Sequence, residues 1–475
     1  MTPFVRPPSP EGRGGQGVRT DDQGGGQGVR TDDRGRDQGA RLGYRWTVCA
    51  LLFVVTTVNY IDRQVLSILA PTLQRELHWS ETAYGDVVSW FTALYALGFL
   101  VVGRWLDRVG VRRGFAVAVV AWSVAAIGHA VARTTAGFSA ARALLGLGES
   151  ANFPGAIKAV AEWFPDKERA LATGILNAGT SIGTIAAAYV VPLVTLTYGW
   201  RWAFIATGSV GFLWLALWLA LYRAPEAQPR VSAAELAYIR AGRPAPAAGH
   251  IAWLPLLGRR QTWAVIVGKF MTDPVWWFYL FWLPKFLDTN YGIKLSQLAL
   301  PLVVVYVVAG AGSVTGGWLS GALMRRGWTV NRARKAALLC MALAIVPTAL
   351  APHAGNVWTA VALVSLATAA HQGWSANIYT LASDMFPRAA VASVIGIGGA
   401  AGALSGYLFQ KATGRILDYT GGNYAPIFMV CGLAYVSAWI IIHLLAPHLQ
   451  PARVAAAPGA AGAGVTPVPA PEKTS

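Results

Sequence analysis

The clearest shortage in this 475-residue sequence is of charged side chains, which make up 13% of it. A soluble domain carries about 25%, so a soluble globular protein is excluded. Hydrophobic residues reach 55%, and the mean hydropathy is +0.44. They form long runs along nearly the whole chain, and each run is long enough to cross a hydrocarbon core of about 30 Å. The sequence therefore predicts an all-α integral membrane protein.

Cysteine and catalytic motifs are also scarce. Cys49, Cys340 and Cys431 each stand alone in an apolar segment without CxxC spacing, so we expect neither a disulfide framework nor a metal site. No HExxH motif, Ser–His–Asp spacing or filter-like motif supports an enzyme or a channel. The net charge of +17 comes without aromatic–basic clusters, so no nucleic-acid partner is expected. The basic residues lie mainly in short loops, where they set topology and contact membrane lipid.

Apolar runs separated by charged or Gly/Pro-containing loops predict twelve membrane-spanning helices in two sets of six. The N-terminal half, 44–222, and the C-terminal half, 262–447, are joined by a polar, Pro-rich linker, 223–261, with one short amphipathic piece. Residues 1–43 and 448–475 cannot bury apolar area, and we expect them to be disordered tails. The predicted spans are 44–70, 83–105, 112–132, 136–163, 168–193, 200–222, 262–287, 298–323, 334–352, 356–384, 389–412 and 423–446.

The positions of the basic residues predict the orientation of the chain. They concentrate in the loops after spans 2, 4 and 8 and in the linker, so the positive-inside rule places the linker and both termini in the cytoplasm. A multi-pass protein of the inner (plasma) membrane is expected. The stretch "GRWLDRVGVRRG" (103–114) after span 2 is echoed by "GGWLSGALMRRGWTVNRARK" (316–335) after span 8. Such a parallel repeat is typical of a two-lobed alternating-access carrier.

Several charges lie inside the predicted spans, where each costs about 2.5–3.5 kcal/mol on insertion scales. Asp62 and Arg63 lie deep in span 1, and Arg142 and Glu149 lie two turns apart in span 4. Adjacent residues diverge by about 100° around a helix, so Asp62 and Arg63 each need a partner on another helix or in a wet cavity. Structural ion pairing is the alternative. For Lys269 and Asp273, one turn apart in span 7, that alternative is equally open.

Specific motifs resemble a known family. "GRWLDRVGVRRG" resembles the loop 2–3 signature of the major facilitator superfamily. The stretches "NYIDR", "ARALLGLGESANFPGAIKAVAEWFPDKERALATGILNAGTSIG" and "AAHQGWSANIYTLASDMFP" resemble the anion:cation symporter family, most closely its hexuronate and aldonate branch. The resemblance runs from about Tyr44 to Pro447. It implies the major facilitator fold, with two six-helix halves related by pseudo-two-fold symmetry.

The resemblance also implies a function. We expect import of an organic anion together with a proton, without a cofactor, by a monomer that is not an enzyme. A sugar acid such as glucuronate, galacturonate or galactonate is the expected substrate. Tartrate, phthalate or a monocarboxylate remains open, because related branches carry such acids. An exporter of the same superfamily would favour acidic groups that attract cations, whereas the inner arginines and lysine of this chain favour anions.

The expected function assigns roles to the charged residues of spans 1 and 4. A guanidinium suits a substrate carboxylate, so Arg63 is expected to bind it. Asp62 and Glu149 are expected to load protons, because burial raises a carboxyl pKa and a nearby arginine lowers it. Arg142 is a further substrate-binding candidate, and in the empty state it would keep Glu149 or Asp62 ionised.

Other candidates supply hydroxyls, amides and aromatic faces for a polyol, although each could instead be a packing residue. Tyr60 and Tyr95 match binding-site tyrosines of the family. A proton relay is the second hypothesis for His371. A gating or structural role is expected in the basic turn for Asp107, Arg108 and Arg112. The remaining substrate-binding candidates are Asn177, Thr180, Lys269, Trp276, His371, Gln372, Asn377 and Tyr379.

Overall fold

The computed structural model describes residues 43–241, 253–386 and 388–449, and helices dominate this part of the chain. The predicted tails, 1–43 and 448–475, lie outside the described residues apart from Gly43, His448 and Leu449. Short 3-10 segments cover Pro225–Ala227, Leu295–Gln297 and Val346–His353. The α-helices of the described part are α1 (Tyr44–Leu77), α2 (Glu81–Val109), α3 (Val111–Val131), α4 (Thr135–Glu149), α5 (Asn152–Trp163), α6 (Asp166–Tyr198), α7 (Trp200–Leu221), α8 (Ala233–Ala241), α9 (Trp253–Leu257), α10 (Arg260–Tyr291), α11 (Ala299–Arg325), α12 (Val330–Ile345), α13 (Val357–Met385), α14 (Arg388–Tyr419) and α15 (Ala425–Leu445).

Two predicted spans need correction. The span predicted at 136–163 is broken at Ser150 and Ala151 into α4 and α5, and the span predicted at 334–352 is α12 followed by a 3-10 segment. The linker also contains two short helices, α8 and α9, where one was expected. Within the described residues, eight stretches have the length and hydropathy of a membrane crossing. The all-helical membrane architecture is therefore confirmed, whereas the total of twelve crossings stays a prediction.

Consecutive long helices run in opposite directions, so their ends lie on two sides of the bundle. The Tyr44 hydroxyl donates to the Leu221 carbonyl (2.7 Å), which places the start of α1 beside the end of α7, where the linker begins. We call this side the linker side. It also carries the α2–α3 and α11–α12 turns. The opposite side, which we call the far side, carries the α1–α2, α10–α11 and α14–α15 connections.

The two basic turns that echo each other in the sequence share a backbone feature. Gly110 after α2 has φ 81°, and Gly327 after α11 has φ 84°. Positive φ is strained for residues with a Cβ, so glycine is needed at both positions. The repeated sequence thus corresponds to a repeated turn at equivalent helix ends of the two halves.

Glycines set the position of α4, which carries two of the charged residues. A Cβ at Gly146 would collide with the Phe91 carbonyl oxygen of α2, and one at Gly148 would lie 2.8 Å from the Trp122 backbone nitrogen of α3. These helices therefore meet at backbone distance, as small residues allow in membranes. This packing brings Arg142 and Glu149 into the interior beside α1 and α2.

The two halves meet at the middle of the bundle and at its far side. Gln64 of α1 donates to the Tyr306 hydroxyl of α11 (3.1 Å), and the Tyr84 hydroxyl of α2 donates to the Phe281 carbonyl of α10 (2.6 Å). Nearer the far-side surface, Lys285 pairs with Glu81 and Lys411 pairs with Asp86 (3.0 Å). These contacts close the far side between the halves.

The linker side is more open. Helices α6 and α11 approach each other at mid-height, where a Cβ on Gly310 would lie 3.7 Å from the Ser181 hydroxyl. One turn closer to the linker side, Asn177 of α6 is exposed, and on α13 the Tyr379 side chain is 43% exposed. Contacts between the halves thus close the far side, whereas these two polar side chains nearer the linker side are exposed.

Candidate functional site

An ion pair between α1 and α4 forms the centre of the site. Arg63 Nε donates to Glu149 Oε2 (2.8 Å), and Arg63 Nη2 lies 2.7 Å from the same oxygen. The two side chains are 1% and 0% exposed. Arg63 Nη2 also donates to the Asn59 side-chain oxygen (3.2 Å), whereas Glu149 Oε1 is buried without a hydrogen-bond partner. A buried pair of this kind is costly to break by removing one partner alone.

Aromatic rings surround the Arg63 guanidinium. Its Cζ lies 4.4 Å from the ring centre of Tyr60, 5.1 Å from those of Phe91 and Tyr95, and 5.6 Å from that of Trp277. Ring faces attract a cation, most strongly where it is desolvated. Trp277 belongs to α10 in the C-terminal half, whereas the other three belong to the N-terminal half. The guanidinium therefore lies where the two halves meet.

Arg142 and Asp62 are buried with most of their hydrogen-bonding capacity unused. Arg142 is 0% exposed; its Nη2 donates to the Arg63 carbonyl (3.1 Å), and Nε and Nη1 have no partner. Asp62 is 2% exposed, and neither carboxylate oxygen accepts a hydrogen bond. Unpaired buried polar groups are expensive. A bound anion could satisfy Arg142, and a proton could satisfy Asp62.

The role expected for Arg142 stays a prediction. Arg142 was expected to keep Glu149 or Asp62 ionised in the empty state; its own hydrogen bond goes to the Arg63 backbone carbonyl. Glu149 is paired instead with Arg63, the residue expected to bind substrate. The reason is geometric, because Arg63 and Glu149 project from facing helices at the same height. An incoming carboxylate at Arg63 would therefore have to compete with Glu149.

The C-terminal half contributes a polar group built around His371 of α13. His371 Nδ1 lies 2.5 Å from the Tyr435 hydroxyl, which donates to the Thr272 carbonyl (3.1 Å). Trp276 stacks on the imidazole at 5.1 Å with an interplanar angle of 8°. These contacts hold the ring in one orientation and link α10, α13 and α15.

A second ion pair lies on α10 nearer the linker side. Lys269 Nζ lies 3.2 Å from Asp273 Oδ1 and 2.9 Å from Oδ2. The ammonium also lies 4.9 Å from the ring centre of Tyr379. Lys269 is 7% exposed and Asp273 18%, so the acid is the more accessible member of the pair.

The other predicted binding residues fall into two groups. On α6, the Thr180 hydroxyl donates to the Asn177 carbonyl (2.8 Å), and both residues are at least partly accessible. Gln372 is half-buried on α13. Asn377 is different, because its amide nitrogen donates to the Gly316 (3.0 Å) and Gly373 (2.8 Å) carbonyls. Asn377 thus fastens α13 to α11, in keeping with the packing alternative for that residue.

The basic turn after α2 makes contacts within the N-terminal half. Lys158 of α5 lies 2.8 Å from Asp107, and Arg112 donates to the Leu219 carbonyl (2.5 Å). Arg108 is exposed. In the C-terminal half, Arg334 pairs with Asp384 (2.9 Å) on the same side of the bundle. These contacts hold the linker-side ends of each half together.

Some contributors to the site were missed by the sequence analysis. Asn59 hydrogen-bonds Arg63 from one turn earlier on α1, and Gln64 and Tyr306 join the halves just beyond it. The signal for Asn59 and Gln64 was available, because both are strongly polar residues in an apolar span. Tyr306 carried no such signal, since an isolated tyrosine in a span is an ordinary packing residue.

A groove elsewhere lacks the groups that an anion needs. It has a volume of about 660 Å³, lies between α10, α14 and α15, and is lined by apolar side chains apart from Ser405 and Ser437. Among residues 43–241, 253–386 and 388–449, no group of three or more His, Cys, Asp or Glu side chains could hold a metal ion. The chemistry of the molecule therefore centres on the buried charges of α1, α4 and α10.

Comparison with known proteins agrees with this architecture. Residues 52–410 match the family model of the Major Facilitator Superfamily. The chain belongs to this superfamily, and it is therefore a membrane transport protein and not an enzyme. The superfamily resemblance and the fold predicted from the sequence are confirmed.

Several curated relatives are similar over most of their length. The hexuronate transporter of Escherichia coli (strain K12) is 32% identical over 82% of this chain and 90% of its own. The galacturonate transporter of Dickeya chrysanthemi is 33% identical over 58% of this chain and 81% of its own. The D-galactonate transporter of Escherichia coli O6:H1 is 29% identical over 84% of this chain and 94% of its own.

Solved structures share the fold at lower identity. A D-xylose–proton symporter superposes with a TM-score of 0.67 at 17% identity, over 86% of this chain and 99% of that one. A bacterial homologue of the human lysosomal transporter Spinster gives a TM-score of 0.66 at 20% identity, over 86% of this chain and 96% of that one. It was solved in an inward-facing and unoccupied conformation. At these identities, the likeness concerns the fold.

Proposed function

We propose that the protein is a proton-coupled importer of a six-carbon sugar acid. The observation that carries this proposal is the buried Arg63–Glu149 pair in the middle of a bundle whose far side is closed by contacts between the two halves. The relatives named as hexuronate, galacturonate and D-galactonate transporters support the substrate class. The linker side faces the cytoplasm of the inner membrane, as the basic loops indicate, and the monomer is the working unit.

The mechanism is an exchange of partners at Arg63. When the far side is open, the substrate carboxylate takes the guanidinium, which suits it bidentately, and Glu149 is released from its ion pair. A buried carboxylate without a cation favours the protonated form, so Glu149 takes up a proton as the anion binds. Asp62, already without a partner, provides a second protonation site. After the bundle opens to the linker side, loss of the proton from Glu149 restores its pair with Arg63 and displaces the substrate.

The wall around Arg63 suits a polyhydroxylated anion. Tyr60 and Tyr95 offer aromatic faces and hydroxyls next to the guanidinium, and Trp277 offers a face from the other half. Accessible amides and hydroxyls on α6 and α13 can hydrogen-bond the substrate hydroxyls. Arg142 adds a second buried positive charge close by, which strengthens the preference for anions.

The test is uptake into proteoliposomes under an imposed pH gradient, with labelled glucuronate, galacturonate and galactonate as substrates. The wild type should accumulate at least one of them above its equilibrium level. Glu149→Gln should lose proton-driven accumulation but retain part of the exchange of labelled for unlabelled substrate. As a matched control, Glu76→Gln alters a half-exposed glutamate at the far-side end of α1 and should accumulate substrate normally.

Two results would contradict the proposal. Absence of uptake for all three sugar acids by folded wild-type protein would refute the substrate class. Full accumulation by Glu149→Gln would remove this residue from proton coupling.

A further inference from the structure

We infer that Lys269 and Asp273 recognise the uncharged, hydroxyl-bearing end of the substrate and exclude a second carboxylate there. The inference rests on the proposed function and adds a specificity to it. The protein would then prefer sugar acids with one carboxylate to those with a carboxylate at each end.

The position of the pair along α10 matches the length of such a substrate. Trp277 contacts the Arg63 guanidinium, and Asp273 lies four residues earlier on the same helix face. Four residues correspond to a rise of about 6 Å, towards the accessible linker side. A six-carbon chain with bonds of about 1.5 Å extends over about 6 Å. A substrate whose carboxylate reaches Arg63 therefore brings its other end to Asp273.

The pair also faces the space between the halves. Tyr379, whose ring lies beside the Lys269 ammonium, is 43% exposed. On the same face of α10 as the pair, Trp277 contacts the Arg63 guanidinium of the N-terminal half. One face of α10 therefore connects the pair to Arg63 across the two halves.

A recess in α14 holds the pair in place. A Cβ on Gly402 would collide with the Asp273 carboxylate, and one on Gly398 would lie 3.1 Å from Lys269 Cδ. Glycine at these positions leaves room for the pair on its outer side. The side chains are therefore packed against a helix and are not free to turn away from the cavity.

The exposed member of the pair determines what it can bind. The ammonium is 7% exposed, donates to Asp273 Oδ1 and lies 2.9 Å from Oδ2, whereas the acid is 18% exposed. An ionised carboxylate has about four acceptor positions, so Asp273 can still accept hydrogen bonds from substrate hydroxyls. A second substrate carboxylate would meet a like charge there, which is strongly unfavourable in a site with little water. The pair thus favours hydroxyls over a second acid group.

Competition assays in proteoliposomes test this inference. Uptake of labelled galactonate or glucuronate is measured against unlabelled monoacid and against a diacid of equal length, such as galactarate. The wild type should bind the diacid more weakly. Asp273→Asn removes the like charge and frees the Lys269 ammonium, so it should shift the diacid-to-monoacid ratio of inhibition constants by roughly tenfold or more in favour of the diacid.

Two further variants identify the cause of such a shift. The double variant Lys269→Gln/Asp273→Asn has no ammonium to receive the diacid and should lose the gain seen with Asp273→Asn. Asp288→Asn changes a carboxylate near the far-side end of the same helix, where its partner is the exposed Lys294, and should leave the ratio unchanged. Since the readout is a ratio within one preparation, poor folding of a variant does not imitate the effect. If Asp273→Asn fails to yield folded protein, Gly402→Ala, which pushes the same carboxylate away from α14 and towards the cavity, should shift the ratio in the opposite direction, in favour of the monoacid.

The outcomes separate this inference from the proposed function. If the wild type carries a sugar acid and Asp273→Asn leaves the ratio unchanged, the inference fails and the function stands. If the wild type accepts diacid and monoacid equally well, the inference fails as well. If the wild type carries no sugar acid of either kind, the proposed function fails and the inference fails with it.

Discussion

Asp418 joins the two halves in an uncommon way, and replacing it should change the balance between conformations. Its carboxylate oxygens accept the backbone N–H groups of Glu81 (3.0 Å) and Thr82 (2.8 Å) at the start of α2. These N–H groups have no partner within their own helix, so α14 of one half caps α2 of the other. The cap requires a closed far side. We therefore expect Asp418→Ala to increase the population in which the far side is open.

The expected size follows from the contacts that are lost. Removal of a capping side chain costs about 0.5–2 kcal/mol, and a negative charge at a helix N-terminus is worth about 0.3–1 kcal/mol. A combined loss of about 1.5 kcal/mol changes the closed-to-open equilibrium about tenfold. Asp418 is exposed, so the electrostatic part of the effect should weaken as salt increases.

Double electron–electron resonance between spin labels on the two halves measures the shift. Arg133 and Gly355 are exposed far-side positions on opposite halves, and they can be labelled as cysteines after the exposed Cys340 is changed to serine. Asp418→Ala should increase the long-distance component. Thr329→Ala is the matched control, because Thr329 caps α12 by accepting from the Arg332 N–H (3.4 Å) within one half. Equal distributions for Asp418→Ala and wild type, or an equal shift for Thr329→Ala, would refute the reasoning.

Three other predictions concern individual contacts. Arg63→Lys loses the planar guanidinium that contacts Glu149 through Nε and Nη2 and should weaken substrate affinity by about tenfold or more, as measured by tryptophan fluorescence titration. Unchanged affinity would argue against substrate contact. Gly316→Ala should destabilise the protein by about 1–3 kcal/mol in thermal unfolding, because a Cβ there meets the α13 backbone, whereas Gly317→Ala, with nothing within 4 Å, should not. A hydrogen bond from a neighbouring arginine lowers the pKa of Glu168 below its ordinary value of 4.5. The ionised Glu168 side chain therefore contributes fully to stability above about pH 4.5, and this contribution is lost as the pH falls through the lowered pKa. Glu168→Gln should accordingly reduce the acid sensitivity of the unfolding temperature.

The helix positions were largely predictable because a membrane crossing needs a continuous apolar stretch. The break between α4 and α5 was missed in the sequence. Ser150 lies at the break, where its side chain fits against Gly98 of α2. Glu149 directly before the break and Pro154 three residues after it were local signals, but the apolar run around them was interpreted as one span.

The charged residues of the site were predictable as a set, whereas their pairing was not. Arg63 and Glu149 are 86 residues apart, and their contact depends on how α1 and α4 are rotated about their axes. The same limit applies to Asn377, since an amide in a span can point to a cavity or to a neighbouring helix. Its hydrogen bonds to Gly316 and Gly373 exist because glycines allow α11 and α13 to come close.

The first residues of α1 also bear on how the chain is assembled during synthesis. The backbone N–H groups of Tyr44 and Arg45 are capped by the Glu235 carboxylate of α8 (3.0 and 3.1 Å), about 190 residues further along. At about 5–20 residues per second, the ribosome needs roughly 10–40 s to add that segment. For this interval the start of the nascent α1 has no cap. The N-terminal half is therefore complete only after the linker has been translated.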